Sequence, residues 1–201
     1  MPRAFSAGEK EIIRQRLREK AETLFEAYGL RKTSVEDITR AVGISKGAFY
    51  LFYESKEELF LDILEQLESE LREGILEYNL HPSEDARQNV RRILSNFLVT
   101  YDAYPLLKKF SQADLDYLLR KLPAERLQAH THRDKTFFDD FVKKIEREGM
   151  TLKVSPRVTF NLVLSLVLVS LHRLDLGEDA YTETMNILID LVAGYIADGA
   201  T

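Results

Sequence analysis

Four histidines, His81, His130, His132 and His172, and acidic pairs such as Glu57-Glu58 and Asp139-Asp140 are side chains from which an active centre could be assembled. Zinc hydrolysis on a helix needs His-Glu-x-x-His, which sets two imidazoles on one face with a general base beside them, and no such run occurs. His130 and His132 diverge on a helix, and the Glu-x-x-His pairs of a di-iron bundle are absent. Adjacent carboxylates point apart, so neither acidic pair forms a general acid and base. With no cysteine in the chain, thiolate nucleophiles, Cys-based metal sites and disulfides are excluded. These residues predict no enzyme, no cofactor and no metal.

Residues 33 to 58 carry a different kind of chemistry. Thr33-x-x-Glu36 and Ser55-x-x-Glu58 read as capping boxes, in which a hydroxyl and a carboxylate each satisfy an orphan amide at a helix start. Between a helix from Ser34 to Val42 and another starting at Ser45 lie only Gly43 and Ile44, the spacing of a helix-turn-helix. Ile38, Val42, Ile44 and Phe49 fall where they would pack on the first helix. Ser45, Lys46, Gly47, Ala48, Tyr50 and Leu51 then face outward. A helix start, a cation at Lys46 and a side-chain-free Gly47 suit close approach to an anionic surface. The major groove of duplex DNA admits such a helix, with Tyr50, Thr33 and Lys56 placed to donate to flanking phosphates.

The runs Thr33-Ser34-Val35-Glu36-Asp37-Ile38, Gly43-Ile44-Ser45-Lys46-Gly47-Ala48-Phe49-Tyr50 and Ser55-Lys56-Glu57-Glu58-Leu59 resemble the DNA-binding signature of the tetracycline-repressor (TetR/AcrR) family. The resemblance implies a homodimeric bacterial transcriptional regulator, most often a repressor released by a small ligand. It sets Lys46, Gly47 and Ala48 at the base-reading start of the recognition helix and Thr33, Tyr50 and Lys56 at phosphate-contacting positions. Ala48 stands where Thr or Ser is common, and Leu51-Phe52-Tyr53 replaces a segment that often carries a polar aromatic.

The elements that must position this motif read as helices throughout. The 201 residues are 45% apolar and 30% charged, a globular composition ample for a buried core. Ile13, Leu17, Ala21, Leu24, Phe25 and Tyr28 line one helical face that ends near Gly29. Ser83, Pro123 and Ser155-Pro156 mark later helix starts. About nine helices result, an all-α fold. Three short helices with tight connections occupy an N-terminal helix-turn-helix domain over 1–55, and longer ones a ligand-binding and dimerisation domain over 56–201. The helix opened by Ser55 runs without a breaker to about Tyr78, and so couples the two parts rigidly.

The two most apolar helices come last, 156–173 and 179–196. The stretch Val158 to Leu171 is too short for the roughly 20 apolar residues of a bilayer crossing. It is apolar nearly all round and needs cover on both sides, which predicts that both helices pair with their copies in a homodimer. Residues 97 to 141 hold eight of the twenty aromatics, a density that suits a pocket for a hydrophobic or aromatic effector. Phe97 and Tyr101 are its candidate walls, and Asn161, Ser165 and His172 its candidate polar groups.

Net charge is −5, but residues 1 to 50 carry +3 and residues 51 to 201 carry −8. The acidic total therefore does not exclude DNA; it describes a mildly basic reading head on an acidic body. The N-terminus turns polar too early for a signal peptide, which predicts a cytoplasmic protein. The expected partners are a double-stranded DNA operator, a small-molecule effector and a second copy of the chain, with no membrane. The alternative is a helical small-molecule-binding or scaffold protein that has lost DNA binding.

Overall fold

The structure, a computed structural model, describes residues 5–198, and these form eleven helices with no strand among the described residues. The count exceeds nine because short helices such as α6 (Pro105–Lys109) and α10 (Arg173–Leu176) interrupt what reads in sequence as connection or continuous helix. The chain divides into two compact units, Met1–Glu68 with Asp114–Leu122, and Ser69–Ala113 with Pro123–Thr201.

In the first unit α1 (Ala7–Tyr28) is long rather than short, because a Ser6–Glu9 capping box opens it and no breaker intervenes before Gly29. Leu17, Ala21 and Phe25 form its buried face. The Phe25 ring meets Phe60 edge-on at 5.0 Å, which seats α1 against α4 (Lys56–Glu77). The box that opens α2 (Val35–Val42) lies one residue later than expected. Ser34 accepts from the Asp37 amide and Asp37 accepts from the Ser34 amide, both at 3.1 Å. Ser55 does cap α4, accepting from the Glu58 amide at 3.1 Å, while the Glu58 carboxylate reaches back to the Glu54 amide at 2.7 Å. The last helix of this unit is α7 (Gln112–Lys121), with Leu118 buried.

The second unit contains α5 (Ala86–Ala103), α6, α8 (Ala124–Arg147), α9 (Pro156–Ser170), α10 and α11 (Glu178–Asp198). Asp85, not Ser83, caps α5, because Gln88 stands three residues on and completes a box with it. Ser155 and Pro156 open α9 as expected, but α9 ends at Ser170 instead of running to Arg173. The Ser170 hydroxyl turns back onto the Val167 carbonyl at 2.6 Å, and the chain restarts as α10. There Arg173 is buried, ion-paired with Asp102 and stacked 4.2 Å from the Tyr181 ring. The core is a layer of Val90, Ile93 and Leu94 from α5 against Met185, Ile189 and Ile196 from α11, with Phe141, Ile145 and Leu166 closing it. No described helix is long and apolar enough to cross a membrane.

Candidate nucleic-acid interface

The turn between α2 and α3 (Lys46–Phe49) is built as its residues require. Gly43 takes the left-handed conformation, φ 79° and ψ 36°, and its amide and that of Ile44 both bond to the Thr39 carbonyl, at 2.9 and 3.0 Å. A side chain at Gly43 would be strained in that conformation. Ile38, Val42 and Phe49 are buried and Ile44 half-buried, so the inward face is as the periodicity predicts. Arg16 on α1 donates to the Val42 carbonyl at 2.7 Å, which ties the end of α2 to α1. Tyr53 donates to Asp62 at 2.6 Å, and Arg18 lies 3.1 Å from the same carboxylate. Burial and that carboxylate push the Tyr53 phenol well above its ordinary range.

The outward face keeps Ser45, Lys46, Gly47, Tyr50 and Leu51 exposed and Ala48 half-buried. Ser45 spends its oxygen on the Ala48 amide at 3.1 Å, and α3 is only four residues long, so the helix-end field expected there is small. What the face offers is side chains. Tyr50 stands edge-on to Phe49 at 5.4 Å with half its surface in water. A Cβ at Gly47 would meet nothing nearer than Ser45 Oγ at 3.9 Å, so no packing demands glycine there and the backbone lies bare. Lys46 bridges to Glu36 on α2 at 2.5 Å. Their hydrogen bond holds the Glu36 carboxyl below its usual range and the Lys46 ammonium above its own. Arg40, absent from the sequence-based set, lies one turn along α2 from Glu36 and 3.5 Å from Asp37. Its spacing from Glu36 is the signal that would have found it.

Two expected phosphate donors are used elsewhere. Thr33 is 2% exposed, and its hydroxyl donates to the Gly29 carbonyl at 3.0 Å, closing the turn after α1. Lys56 donates to the carbonyls of Leu30 at 2.8 Å, Arg31 at 3.3 Å and Thr33 at 2.7 Å. An ammonium has three protons, so these bonds exhaust it. Burial draws its pKa down. Both residues shape the loop that precedes α2. Beside them, Tyr117 on α7 donates to the buried Glu57 at 2.6 Å, which pushes its phenol up to about 12.

In the second unit the residues expected around a ligand separate. Tyr101 is buried and Phe97 half-buried with ring centroids 6.1 Å apart, while Asn161 and Ser165 are exposed on α9. The Ser165 hydroxyl donates to the Asn161 carbonyl at 2.7 Å, and exposed His172 pairs with Asp175 at 3.0 Å. None of the five lines the apolar cleft between α5, α8 and α9 in this unit. That cleft has about 40 Å³ of free space, walled by Val90, Phe138, Phe141, Val142, Thr159 and Val163 among others. Thr159, its one polar side chain, donates to the Ser155 carbonyl at 3.1 Å. Phe138 and Phe141 belong to the aromatic-rich stretch. Thr159 lies two residues from Asn161, on the opposite side of α9, where helical phase would have located it. Val158, Leu164 and Leu168 of α9 and Ile187, Leu191 and Tyr195 of α11 are exposed, each by 39% or more. Asn161 and Ser165 share that exposed side.

Residues 17–63 match the family model for bacterial regulatory proteins of the tetR family. The chain is similar to the HTH-type transcriptional regulator AcrR of Shigella flexneri, 34% identical over 45% of this chain and 42% of that protein. It is also similar to EthR of Mycobacterium tuberculosis, 29% identical over 46% of this chain and 44% of that one. The chain thus spans under half the length of these relatives. The fold is that of a TetR-family transcriptional regulator from Pectobacterium atrosepticum, with a TM-score of 0.72 at 18% identity over 96% of this chain and 98% of that one. A further TetR-family structure, from Syntrophomonas wolfei, has a TM-score of 0.68 at 19% identity, with 96% and 98% covered. Residues 17–63 thus carry the helix-turn-helix segment of bacterial regulatory proteins of the tetR family, and the chain has the fold of TetR-family structures along nearly its whole length.

Proposed function

We propose that this chain is a cytoplasmic transcriptional regulator, a repressor that binds a pseudo-palindromic duplex operator as a homodimer and releases it when a small apolar or aromatic molecule binds. The observation that carries the reading is the outer face of α2 and α3. A tight turn sets a bare glycine, a lysine and a half-exposed tyrosine on one surface with no apolar cover. Lys46, Gly47 and Ala48 read bases, and Ser45 and Tyr50 hold flanking phosphates. Thr33 and Lys56 act on DNA indirectly, by holding the loop before α2 through the bonds described above. Residues 1–55 are the reading head, and residues 56–201 bind ligand and dimerise.

The second copy is seated on the exposed apolar sides of α9 and α11, with recognition helices about 34 Å apart to meet successive major grooves. The effector enters the apolar cleft. Its free space of about 40 Å³ is far below that of a ligand pocket, and no lining side chain offers an unsatisfied polar group, so an apolar molecule that prises it open fits best. Opening displaces α4 and changes the separation of the two heads, which lowers affinity through differential binding to two states.

Fluorescence anisotropy on duplex DNA from upstream of the chain's own gene tests the reading. Lys46→Ala and Tyr50→Ala should each weaken binding by about tenfold or more with helical content unchanged, and affinity should fall steeply with salt. Binding that ignores salt, or variants that bind as the wild type does, would sink it. A folded protein that takes up apolar ligand but no duplex would instead be a binding protein without DNA function.

A further inference from the structure

We infer that Glu36 is an internal competitor for the lysine that reads DNA: its carboxylate occupies Lys46 in the free protein and must be displaced by phosphate or base. The inference rests on the DNA-binding reading above and adds a residue that sets how weakly the head holds duplexes of the wrong sequence.

The geometry is specific. Glu36 is the second residue of α2 and Lys46 the first of α3, and the turn folds them together so that carboxylate and ammonium meet at 2.5 Å. The cap of α2 is made by Ser34 and Asp37, so the fold does not need Glu36 to close the helix start. The two side chains are 53% and 54% exposed, and incoming phosphate can therefore compete for the ammonium. The next cation along the face, Arg40, is 3.5 Å from Asp37. Lys46 and Arg40 are thus each matched by an acid on their own surface, and the face presents little net charge to a polyanion.

A lysine already paired brings less counterion release to a non-specific contact, and Glu36 itself is repelled by phosphate. At the right sequence, base contacts add to the ionic term and outweigh the displaced pair. At the wrong sequence they do not. The effect is a larger ratio of specific to non-specific affinity, obtained by an unfavourable element rather than by a new contact.

The test is binding of the full chain to a random-sequence duplex of about 30 base pairs across a salt series. The proteins are the wild type, Glu36→Gln, Lys46→Ala and the double variant. Glu36→Gln should bind several-fold more tightly at low salt. Its slope of log affinity against log salt should steepen by about 0.9, an extra loss of about 3.5-fold between 50 and 200 mM. In the Lys46→Ala background the same substitution should gain much less. Glu36→Asp keeps the charge but shortens the side chain by one methylene, and should fall between wild type and Glu36→Gln; it also serves if the amide variant folds poorly by circular dichroism. An equal gain with and without Lys46 would mean that Glu36 acts as a free-standing charge, and would overturn the inference while leaving DNA binding intact. An unchanged slope would do the same. If none of the four proteins binds duplex in a salt-dependent way, the DNA-binding reading falls and takes the inference with it.

Discussion

The outer side of α2 and α3 and the outer side of α9 and α11 are both open to solvent, and their residues differ in kind. The first exposes Lys46, Arg40, Tyr50 and a bare glycine, with charges matched by Glu36 and Asp37. The second exposes Val158, Leu164, Leu168, Ile187, Leu191 and Tyr195, with Arg157, Asn161 and Ser165 as polar relief on α9. Charged, hydrogen-bonding surface is stable in water and can exchange water for an equally polar partner. A contiguous apolar side is stable only when covered. One face is therefore suited to a reversible ionic contact and the other to a lasting one, and substitution separates the two roles.

The largest effect is expected from charge on the apolar side. Ile187→Glu with Leu191→Glu would bury unpaired carboxylates in the proposed dimer, at a cost of roughly 3 kcal/mol or more, about a hundredfold in the dimer constant. Sedimentation should show monomers with helicity retained, while Tyr50→Glu on the other face should leave association unchanged. A dimer that survives the double charge would move the interface elsewhere.

Next in size is the closed interior that lies behind this face. Phe141→Ala removes a wall of the cleft and should cost about 3–5 kcal/mol in stability. The same change should raise the uptake of an apolar dye, followed by fluorescence. Lower stability without extra uptake would argue that the cleft is core and not a ligand site.

Smaller effects concern what supports the polar face. Lys56→Met keeps the stem but strips three carbonyls of their donor, and should destabilise the protein by about 1–3 kcal/mol. If Lys56 instead touches phosphate directly, the variant would lose DNA affinity with its thermal midpoint unmoved.

The smallest expected effect is a pH dependence. The bond to Glu57 raises the folded pKa of Tyr117 to about 12, from 10.0. The folded state keeps this proton where the unfolded chain loses it. The stabilisation is therefore complete below about pH 10 and is lost as pH rises through 12. Tyr117→Phe should flatten the stability curve in that window, and an ultraviolet titration should lose one phenol that ionises near 12. A difference titrating near 10 would remove Glu57 from the argument.

Much of the fold was legible because its signals are local. Caps, turns and helical faces are made by residues three or four apart, so Gly43, Ser45, Ser55 and Pro156 declare themselves in order along the chain. Errors of one or two residues arose where neighbours compete for the same orphan amide, as Thr33 with Ser34 and Ser83 with Asp85. The residues expected around a ligand separate in the structure for a different reason. An aromatic or polar stripe gives a helical phase but not which neighbour covers it, so Asn161 and Ser165 share a face that proved to point outward.

What the sequence determined by itself is the helix-turn-helix, its inward residues and the all-α class, since each follows from periodicity and capping within about 27 residues or fewer. Only the tertiary structure decided how the polar side chains are spent. Lys56 finds its carbonyl partners 23 to 26 residues away, and Tyr117 finds Glu57 across 60. The segment 114–122 likewise joins the N-terminal unit from far along the chain. A lysine's stem is long enough to end in water or on a backbone, and its type does not say which. Its neighbours in space make that choice, because a half-buried ammonium donates where carbonyls converge on it.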